Sequence, residues 1–342
     1  MKGSNVISRI LSRRGCNFST AKHQLPSEKK AVVIDGKKIA SEILDKLKIE
    51  VEAVIKSGRR APQLTAILVG DNPASATYIR NKMLAAKKVG ISSTTLHLPL
   101  ETSQEQLLTQ VNSLNNDENV DGIIVQLPLP THIDEQKIYN SVLRRKDVDG
   151  FSAGNFGLFS LNMLSLAPAT PLAVHELILS TGIVTKGKNA VVCGRSKNVG
   201  LPIAMLLHSD THGDFKGLDA TTTICHRFTP PDQLALLLKN ADIVVSAVGI
   251  PNLIQAHMIK EGACIIDVGI SHVKETASNK FKLVGDVDFK NVSKVAGHIT
   301  PVPGGVGPMT VAMLMKNTVL AASDLANDKD SRSKTLEPRQ FA

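Results

Sequence analysis

The chain has few aromatic residues and few cysteines, and these shortages exclude several classes of protein. It contains no tryptophan, and aromatic residues make up 3% of the sequence. Four scattered cysteines provide neither a disulfide framework nor a metal-type pair, and the ten histidines show no ligand spacing. The cysteines are Cys16, Cys193, Cys225 and Cys264. No apolar run approaches the ~18 to 20 residues that span a bilayer, so we expect no membrane insertion.

Acidic residues are absent from residues 1–27, whose composition is typical of an organellar leader. Five basic residues are interleaved with serines and short apolar stretches, as in mitochondrial transit peptides. They are Lys2, Arg9, Arg13, Arg14 and Lys22. We therefore predict a disordered transit peptide and a location in the mitochondrial matrix, with a simple basic arm as the alternative. Without these five charges the formal net charge falls from +9 to +4, and no basic stripe with interleaved aromatic residues points to nucleic acid.

Short apolar runs alternate with amphipathic stretches from residue 31 onward. This alternation predicts βαβ units and a mainly parallel sheet. The first series has strands at 32–35, 64–69, 94–98 and 122–127, and helices near 38–57, 74–89, 103–115 and 134–144. The second series has helices at 171–180 and 201–207, and strands at 189–193, 220–225, 242–248 and 264–268. The segment 150–170, rich in Gly, Ser, Asn and Pro, separates the two series and places a domain boundary near 150–160.

A glycine turn links the first strand of the second series to its helix. Gly194 and Gly200 bracket this turn, and a strand, glycine turn and helix in succession begin a dinucleotide-binding unit. Only the outer two glycines of the G-x-G-x-x-G pattern are present, so an ordinary α/β turn is the alternative. Arg227 follows the next strand, and no carboxylate occurs from Ala220 to Phe228. Taken alone, an arginine at that position favours NADP.

The segment 301–310 contains three prolines and three glycines directly before an apolar run. A stiff turn with few side chains lets a flat ligand contact the backbone, and the run that follows predicts a helix. A plain helix-capping turn is the alternative. We expect this helix to lie across the junction of the two domains and the loop to lie in the cleft, where added bulk at Gly305 would damage catalysis before stability.

Three further segments carry groups suited to chemistry. Tyr78 and Lys82 are four residues apart in a helical stretch and share one face, where they could orient an aromatic substrate and move a proton. Gln126 ends an apolar strand, where open α/β sheets place ligand-facing groups. Asp147 and Asp149 precede a glycine, and each is either a turn former or an acceptor for an amino-substituted ring. An exposed helix face and a loop-bonding glutamine are the structural alternatives.

With these motifs in this order, the chain resembles the methylenetetrahydrofolate dehydrogenase/cyclohydrolase family, and most of all its mitochondrial NAD-dependent members. The resemblance covers roughly residues 31–325. It rests on Asn72-Pro-Ala-Ser75 followed by Tyr78 and Lys82, Val125-Gln-Leu-Pro128, Lys146-Asp-Val-Asp-Gly150, Gly194-Arg-Ser-Lys197 and the segment from Pro301 to Thr310. It implies an N-terminal catalytic and folate-binding domain at 31–155, a Rossmann-like NAD(P)-binding domain at 156–307, a helix at 308–325 that rejoins the first domain, and a flexible tail at 326–342. The active site would lie in the cleft between the domains.

The resemblance also implies a role for each residue of the folate site. Lys82 would be the catalytic lysine, Gln126 its partner, Tyr78 a stacking surface for the folate and Asp149 the acceptor for the pterin ring. Further substrate contacts would come from Ser75, Val125, Leu127, Pro303, Gly304, Gly305, Val306 and Gly307. The substrates would be tetrahydrofolate derivatives, polyglutamylated in the cell, and the enzyme a homodimer.

The cofactor site follows from the same resemblance. Its residues would be Gly194, Arg195, Ser196, Lys197, Arg227 and Ile270. In the NAD-dependent subfamily Arg195 and Arg227 would hold inorganic phosphate where NADP carries its own, with magnesium beside it, which favours NAD. The magnesium ligands would fall at Asp219 and at position 162, where this chain has Asn162. Because an amide brings no charge, we expect a weaker metal requirement or some use of NADP.

The expected activity is therefore twofold. The protein would oxidise 5,10-methylenetetrahydrofolate to 5,10-methenyltetrahydrofolate with NAD, and hydrolyse that product to 10-formyltetrahydrofolate. The alternatives are an NADP-preferring enzyme with both activities and a folate-binding protein without hydrolase activity.

Overall fold

The computed structural model describes residues 30–274 and 281–323, and these residues form two separate parallel sheets covered by helices. The predicted α/β class is confirmed. The predicted leader at 1–27 and tail at 326–342 lie outside the described residues. Within the part of the chain that the structure describes, no helix is both long and apolar enough to cross a membrane.

The elements follow the predicted alternation closely. The strands are β1 (Val32–Val33), β2 (Gln63–Val69), β3 (Ser92–Leu98), β4 (Gly122–Val125), β5 (Asn189–Cys193), β6 (Thr221–Cys225), β7 (Ile243–Ser246), β8 (Cys264–Asp267), β9 (Ser271–Lys274), β10 (Phe281–Val284) and β11 (His298–Ile299). The helices are α1 (Gly36–Lys56), α2 (Pro73–Val89), α3 (Gln104–Asn116), α4 (Glu135–Ser141), α5 (Ala153–Ser160), α6 (Ala169–Ser180), α7 (Gly200–His208), α8 (Pro231–Lys239), α9 (Phe289–Val292) and α10 (Val306–Ala321).

The first sheet has three parallel strands in the order β3-β2-β4. Both faces of β2 are buried because helices cover the sheet on each side. On one side Ile67 packs in a cluster with Leu107 of α3 and Ile138 of α4. On the other side α1, α2 and α10 cover the sheet. The carboxyl ends of these parallel strands meet at one edge, where a site can form.

The second sheet has six parallel strands in the order β1-β11-β8-β7-β5-β6. The placement of β1 was not predicted, because the sequence pattern groups it with the first series. Val32 pairs with His298 and Val33 with Ile299, so the first described strand lies in the second sheet and the chain then crosses to the first sheet. Alternation along a sequence predicts a strand but does not say which sheet it joins. The short antiparallel pair β9 and β10 lies outside both sheets.

Helix α10 is apolar on several faces because it packs against α1, α2 and α6 at once. The buried amide of Asn317 in this helix donates hydrogen bonds to the carbonyls of Val148 and Ala167, each at 2.8 Å. The Thr310 hydroxyl lies 3.3 Å from that of Thr170. The helix therefore connects α1 and α2 of the first series to α6 of the second, and the loop before it opens between them.

Candidate active site

A lysine and a glutamine meet at the carboxyl end of the first sheet. Lys82 lies on α2, whose first turn is capped by the Asn72 side chain, and Gln126 follows the last residue of β4. The Lys82 Nζ donates a hydrogen bond to the Gln126 Oε1 at 3.1 Å. The Gln126 Nε2 donates to the Leu127 carbonyl at 2.8 Å, and the Ser75 hydroxyl donates to the same carbonyl at 3.3 Å. The glutamine amide is therefore held with its oxygen toward the lysine.

The two aspartates before Gly150 have different surroundings. The buried Asp147 carboxylate accepts hydrogen bonds from the N–H groups of Phe151 at 3.2 Å and Ser152 at 2.8 Å, and from the Asn155 Nδ2 at 3.0 Å. Asp147 is thus a turn former. Within residues 30–274 and 281–323 the half-buried Asp149 carboxylate accepts no hydrogen bond. Burial raises the pKa of Asp149, while the charge of Lys82 lowers it.

A cavity of about 500 Å³ is lined in part by α2, the helix that carries Lys82. Residues of α1 and α2 contribute to its lining, among them Tyr78, whose side chain is exposed. Val268 and Ile270 after β8 and the loop before α10 complete the lining. The structure thus brings Tyr78 and Ile270 into one cavity with Pro303, Gly304, Gly305, Val306 and Gly307. Lys82, Gln126 and Asp149 do not line this cavity themselves.

Glycines let the loop before α10 pack closely against the start of α1. A Cβ on Gly36 would lie 1.9 Å from the Gly305 carbonyl oxygen, and the Lys37 N–H donates to the Gly304 carbonyl at 3.1 Å. A Cβ on Gly305 would meet the Pro301 oxygen at 2.7 Å. Because this glycine packs against backbone, we expect bulk at Gly305 to lower stability as well as catalysis. Gly307 faces open space instead.

Two buried carboxylates, Asp267 in the cavity lining and Asp286 next to it, were not predicted. Asp267, at the end of β8, accepts hydrogen bonds from the N–H groups of Gly269 at 3.1 Å, Asp286 at 3.0 Å and Val287 at 2.9 Å. Asp286 in turn accepts from the Ser246 hydroxyl at 2.9 Å and from two further N–H groups after β7. Burial raises the pKa of Asp267 to about 7, and the Asp286 carboxylate adds to this rise. The only sequence signal for this pair was the position of Asp267 at the end of an apolar strand.

The glycine turn after β5 fits a dinucleotide. Gly194 has a φ of 120°, and a Cβ there would lie 2.4 Å from the Ala247 oxygen. A Cβ on Gly200 would lie 2.2 Å from the Gly194 oxygen. Only glycine fits at either position. The N–H groups of Gly200 and Leu201 at the start of α7 donate to Ser196 at 3.2 Å and 3.0 Å. The N–H groups from Arg195 to Lys197 donate no hydrogen bond within the described residues and are left for a phosphate. Ser196 and Lys197 are exposed on the same turn and border a separate cavity near Gly150.

The two arginines of the predicted cofactor site lie beside one aromatic ring. Arg195 follows β5 and Arg227 follows β6, and both side chains are exposed. Their guanidinium carbons lie 5.9 Å and 5.6 Å from the centre of the Phe228 ring. Two cations at the ends of neighbouring strands make a donor set suited to a phosphate.

The predicted magnesium residues have other hydrogen bonds. The Asn162 Nδ2 donates to the Asp210 carbonyl at 3.1 Å, and its Oδ1 accepts from the Phe215 N–H at 3.2 Å. The Asp219 carboxylate accepts from the Thr211 hydroxyl at 3.2 Å. Within the described ranges, no group of three or more His, Cys, Asp or Glu side chains is arranged to hold a metal ion. The Asn162 amide therefore binds the loop 210–215, and this structural role suits its contacts better than metal binding does.

Together these features define a class of protein: an enzyme with an α/β catalytic part, a dinucleotide-type turn and a cleft between two parallel sheets. Comparison with known proteins agrees. The description "Tetrahydrofolate dehydrogenase/cyclohydrolase, catalytic domain" matches residues 34–149, and "Tetrahydrofolate dehydrogenase/cyclohydrolase, NAD(P)-binding domain" matches residues 168–326. The chain therefore belongs to the tetrahydrofolate dehydrogenase/cyclohydrolase family, which confirms the predicted family and the prediction of an enzyme.

Individual relatives are similar over most of their length. The mitochondrial bifunctional methylenetetrahydrofolate dehydrogenase/cyclohydrolase of Gallus gallus is 57% identical over 299 residues, which are 87% of this chain and 89% of that protein. The 5,10-methylenetetrahydrofolate dehydrogenase of the silkworm Bombyx mori has a solved structure with a TM-score of 0.82 and 50% identity, covering 87% of this chain and 99% of that one. The enzyme of Trypanosoma brucei, solved with NADP and an inhibitor, has a TM-score of 0.80 and 40% identity, covering 85% and 97%.

Proposed function

We propose that this protein oxidises 5,10-methylenetetrahydrofolate to the methenyl form and then hydrolyses the methenyl form to 10-formyltetrahydrofolate. The observation that carries the proposal is the hydrogen bond between Lys82 and Gln126, close enough to Asp149 for the charge of Lys82 to lower the pKa of that carboxyl. Tyr78, one helical turn before Lys82 on α2, lines a cavity together with Ile270. Similarity to enzymes with the same two-part name supports it.

The folate would lie along the cavity, and each proposed contact has a physical reason. The exposed Tyr78 ring offers a stacking surface for a flat heterocycle. The Asp149 carboxylate has no hydrogen bond within the described residues, so it is available to the amino and ring N–H groups of a pterin. The loop from Pro303 to Gly307 has little side-chain bulk, so two flat rings can approach each other across it.

Oxidation needs geometry more than a base. NAD(P), when bound, supplies the hydride acceptor. The amides of the turn from Gly194 to Lys197 would bind its pyrophosphate, and Ile270 would contact the nicotinamide from the cavity wall. The ring nitrogen lone pairs of the folate stabilise the methenyl cation that forms. The chain's contribution to this step is to hold the reacting atoms in line.

Hydrolysis needs a base, and Lys82 is our candidate. Water adds to the methenyl carbon and loses a proton, which the Lys82 amine accepts; a carbon–nitrogen bond then opens to give the 10-formyl product. The Gln126 carbonyl orients the amine at 3.1 Å.

The choice between NAD and NADP depends on the site at Arg195 and Arg227. We propose that NAD is used, with inorganic phosphate held between the two guanidinium groups. Magnesium has less support, because Asn162 is engaged by the loop 210–215 and Asp219 by Thr211. The NADP bound to the related trypanosome enzyme keeps NADP as the alternative.

The cellular setting is proposed on two grounds. The composition of residues 1–27 is that of a transit peptide, and the Gallus gallus relative is named as mitochondrial. We propose a homodimeric matrix enzyme acting on polyglutamylated folates. The catalytic and cofactor domains would be 31–155 with 308–325, and 156–307.

One assay tests the proposal directly. Purified protein is mixed with methylenetetrahydrofolate and either NAD or NADP, and methenyl and NADH absorbance are followed with and without phosphate and magnesium. We expect NAD-linked oxidation followed by loss of the methenyl signal. Oxidation with a stable methenyl signal would remove the hydrolase half, and no reaction with either nucleotide would remove the whole proposal.

A further inference from the structure

Phe228 is an exposed aromatic side chain in a chain with few aromatic residues. Its side chain is 72% exposed, directly after the arginine that follows β6. A single exposed ring is common on protein surfaces, so what matters here is what the ring contacts. Two guanidinium groups lie beside it, that of Arg227 at 5.6 Å and that of Arg195 at 5.9 Å.

The two arginines are like charges without a compensating acid. Neither forms a salt bridge with a carboxylate anywhere in residues 30–274 and 281–323. Their repulsion would spread two flexible side chains apart in solvent. A ring that attracts both cations opposes this spreading, at about 0.5–1 kcal/mol for each contact at an exposed site.

Local backbone structure fixes the direction of the ring. The Phe228 N–H donates to the His226 Nδ1 at 3.3 Å, and the His226 N–H donates to the Thr229 hydroxyl at 3.0 Å. The His226 and Phe228 rings meet edge to face, with centroids 6.1 Å apart. The ring is therefore oriented by its own turn rather than by the core, and substitutions there should leave the fold intact.

We propose that Phe228 is a positioning residue that gathers Arg195 and Arg227 into one binding site for a dianionic phosphate group. Two forked donors that converge from neighbouring strands can each bind two phosphate oxygens. The phosphate is either free inorganic phosphate or the 2′-phosphate of NADP. The inference rests on the proposed cofactor site and adds to it the residue that holds the site together in the absence of ligand.

The test compares three variants with the unaltered protein. Phe228→Leu keeps an apolar side chain but removes the ring, Phe228→Trp keeps a ring, and Arg227→Ala removes one donor. Inorganic phosphate binding to the protein alone is measured by calorimetry. The half-saturating phosphate concentration with NAD, and the KM for NADP, are measured in the oxidation assay.

We expect Phe228→Leu to weaken phosphate binding by roughly five- to thirtyfold, as the loss of two cation–π contacts implies. Phosphate binding by Phe228→Trp should stay within about twofold of the unaltered protein. An effect on free phosphate with NAD identifies inorganic phosphate as the ligand, whereas an effect confined to the KM for NADP identifies the 2′-phosphate. Either result supports the proposal.

Other results overturn it. If Phe228→Leu binds phosphate with the same affinity as the unaltered protein while Arg227→Ala does not, the phosphate site is correct but Phe228 does not position it. If Phe228→Leu raises only the KM for NAD, the ring contacts the nucleotide instead. If the unaltered protein neither binds phosphate nor uses NADP, the proposed phosphate site itself is wrong.

Discussion

The backbone N–H of Asp286 donates a hydrogen bond to the carboxylate of Asp267 at 3.0 Å, so the backbone of one buried aspartate binds the side chain of the other. The pair joins the ends of β7 and β8 to the segment after β10, and Asp267 lines the cavity together with Val268 and Ile270. Because the Asp267 side chain is buried without a cation beside it in the described ranges, its ionisation affects stability.

Asp267 should make stability depend on pH. Its pKa is raised from 3.8 to about 7, so between these values the native state holds a proton that the unfolded chain has lost. This proton stabilises the native state by up to about 4 kcal/mol. The stabilisation is complete below about pH 4 and is lost as the pH rises to about 7. Urea unfolding of Asp267→Asn over pH 4–8 should lack this dependence. Parallel pH profiles for variant and unaltered protein would contradict the raised pKa.

Lys82→Met should separate the two proposed activities. Loss of a general base costs about 10²–10⁴ in rate, so hydrolysis of the methenyl compound should fall by that factor. Oxidation, which depends on geometry, should fall far less. The matched control is Lys87→Met, an exposed lysine on the same helix. Hydrolysis that survives in Lys82→Met would assign the base to another residue.

Gly307, in the first turn of α10 directly after the loop, allows this part of the cavity lining to be tested without disturbing the fold. A Cβ there meets nothing within 4 Å, although the residue borders the cavity. Gly307→Val should therefore fold while blocking the approach of substrate, with a loss in kcat/KM on the order of tenfold or more. Thermal unfolding should show little change in Gly307→Val and a clear loss in Gly305→Val. Gly157→Ala, also in open space, serves as the control. Normal oxidation by Gly307→Val would show that the loop only caps the helix.

Asn317→Leu should destabilise the protein by about 2–4 kcal/mol. The amide satisfies two buried carbonyls, of Val148 and Ala167, and its loss leaves both without a donor. Denaturant unfolding measures the change. Asn240→Leu removes an exposed amide bonded to Leu236 and should cost about 0.5 kcal/mol or less. Equal effects of the two substitutions would mean that the α10 amide is not a structural anchor.

Local patterns in the sequence predicted most elements but not their partners. The strand at 189–193 and the helix that follows Gly200 were predictable because apolar periodicity and a glycine turn are local signals. The pairing of β1 with β11 was not, because it joins residues more than 260 positions apart.

The candidate site shows the same limit. Tyr78 and Lys82 are related by helical spacing, which the sequence displays. The choice between Asp147 and Asp149 depends on the N–H groups of Phe151 and Ser152, which only the folded turn directs toward Asp147. Asp267 and Asp286 were missed for a similar reason, since their hydrogen-bond donors come from separate segments.

The crossing of the chain from β1 into the first sheet has a consequence for synthesis. The catalytic half is not a continuous stretch: it starts from a strand that needs β11 as its partner, and it is covered by a helix that ends at Ala321. A ribosome makes the Tyr78 and Lys82 region early, yet that region lacks its last helix until almost the whole chain has emerged. The half of the enzyme that is made first is therefore the half that is completed last.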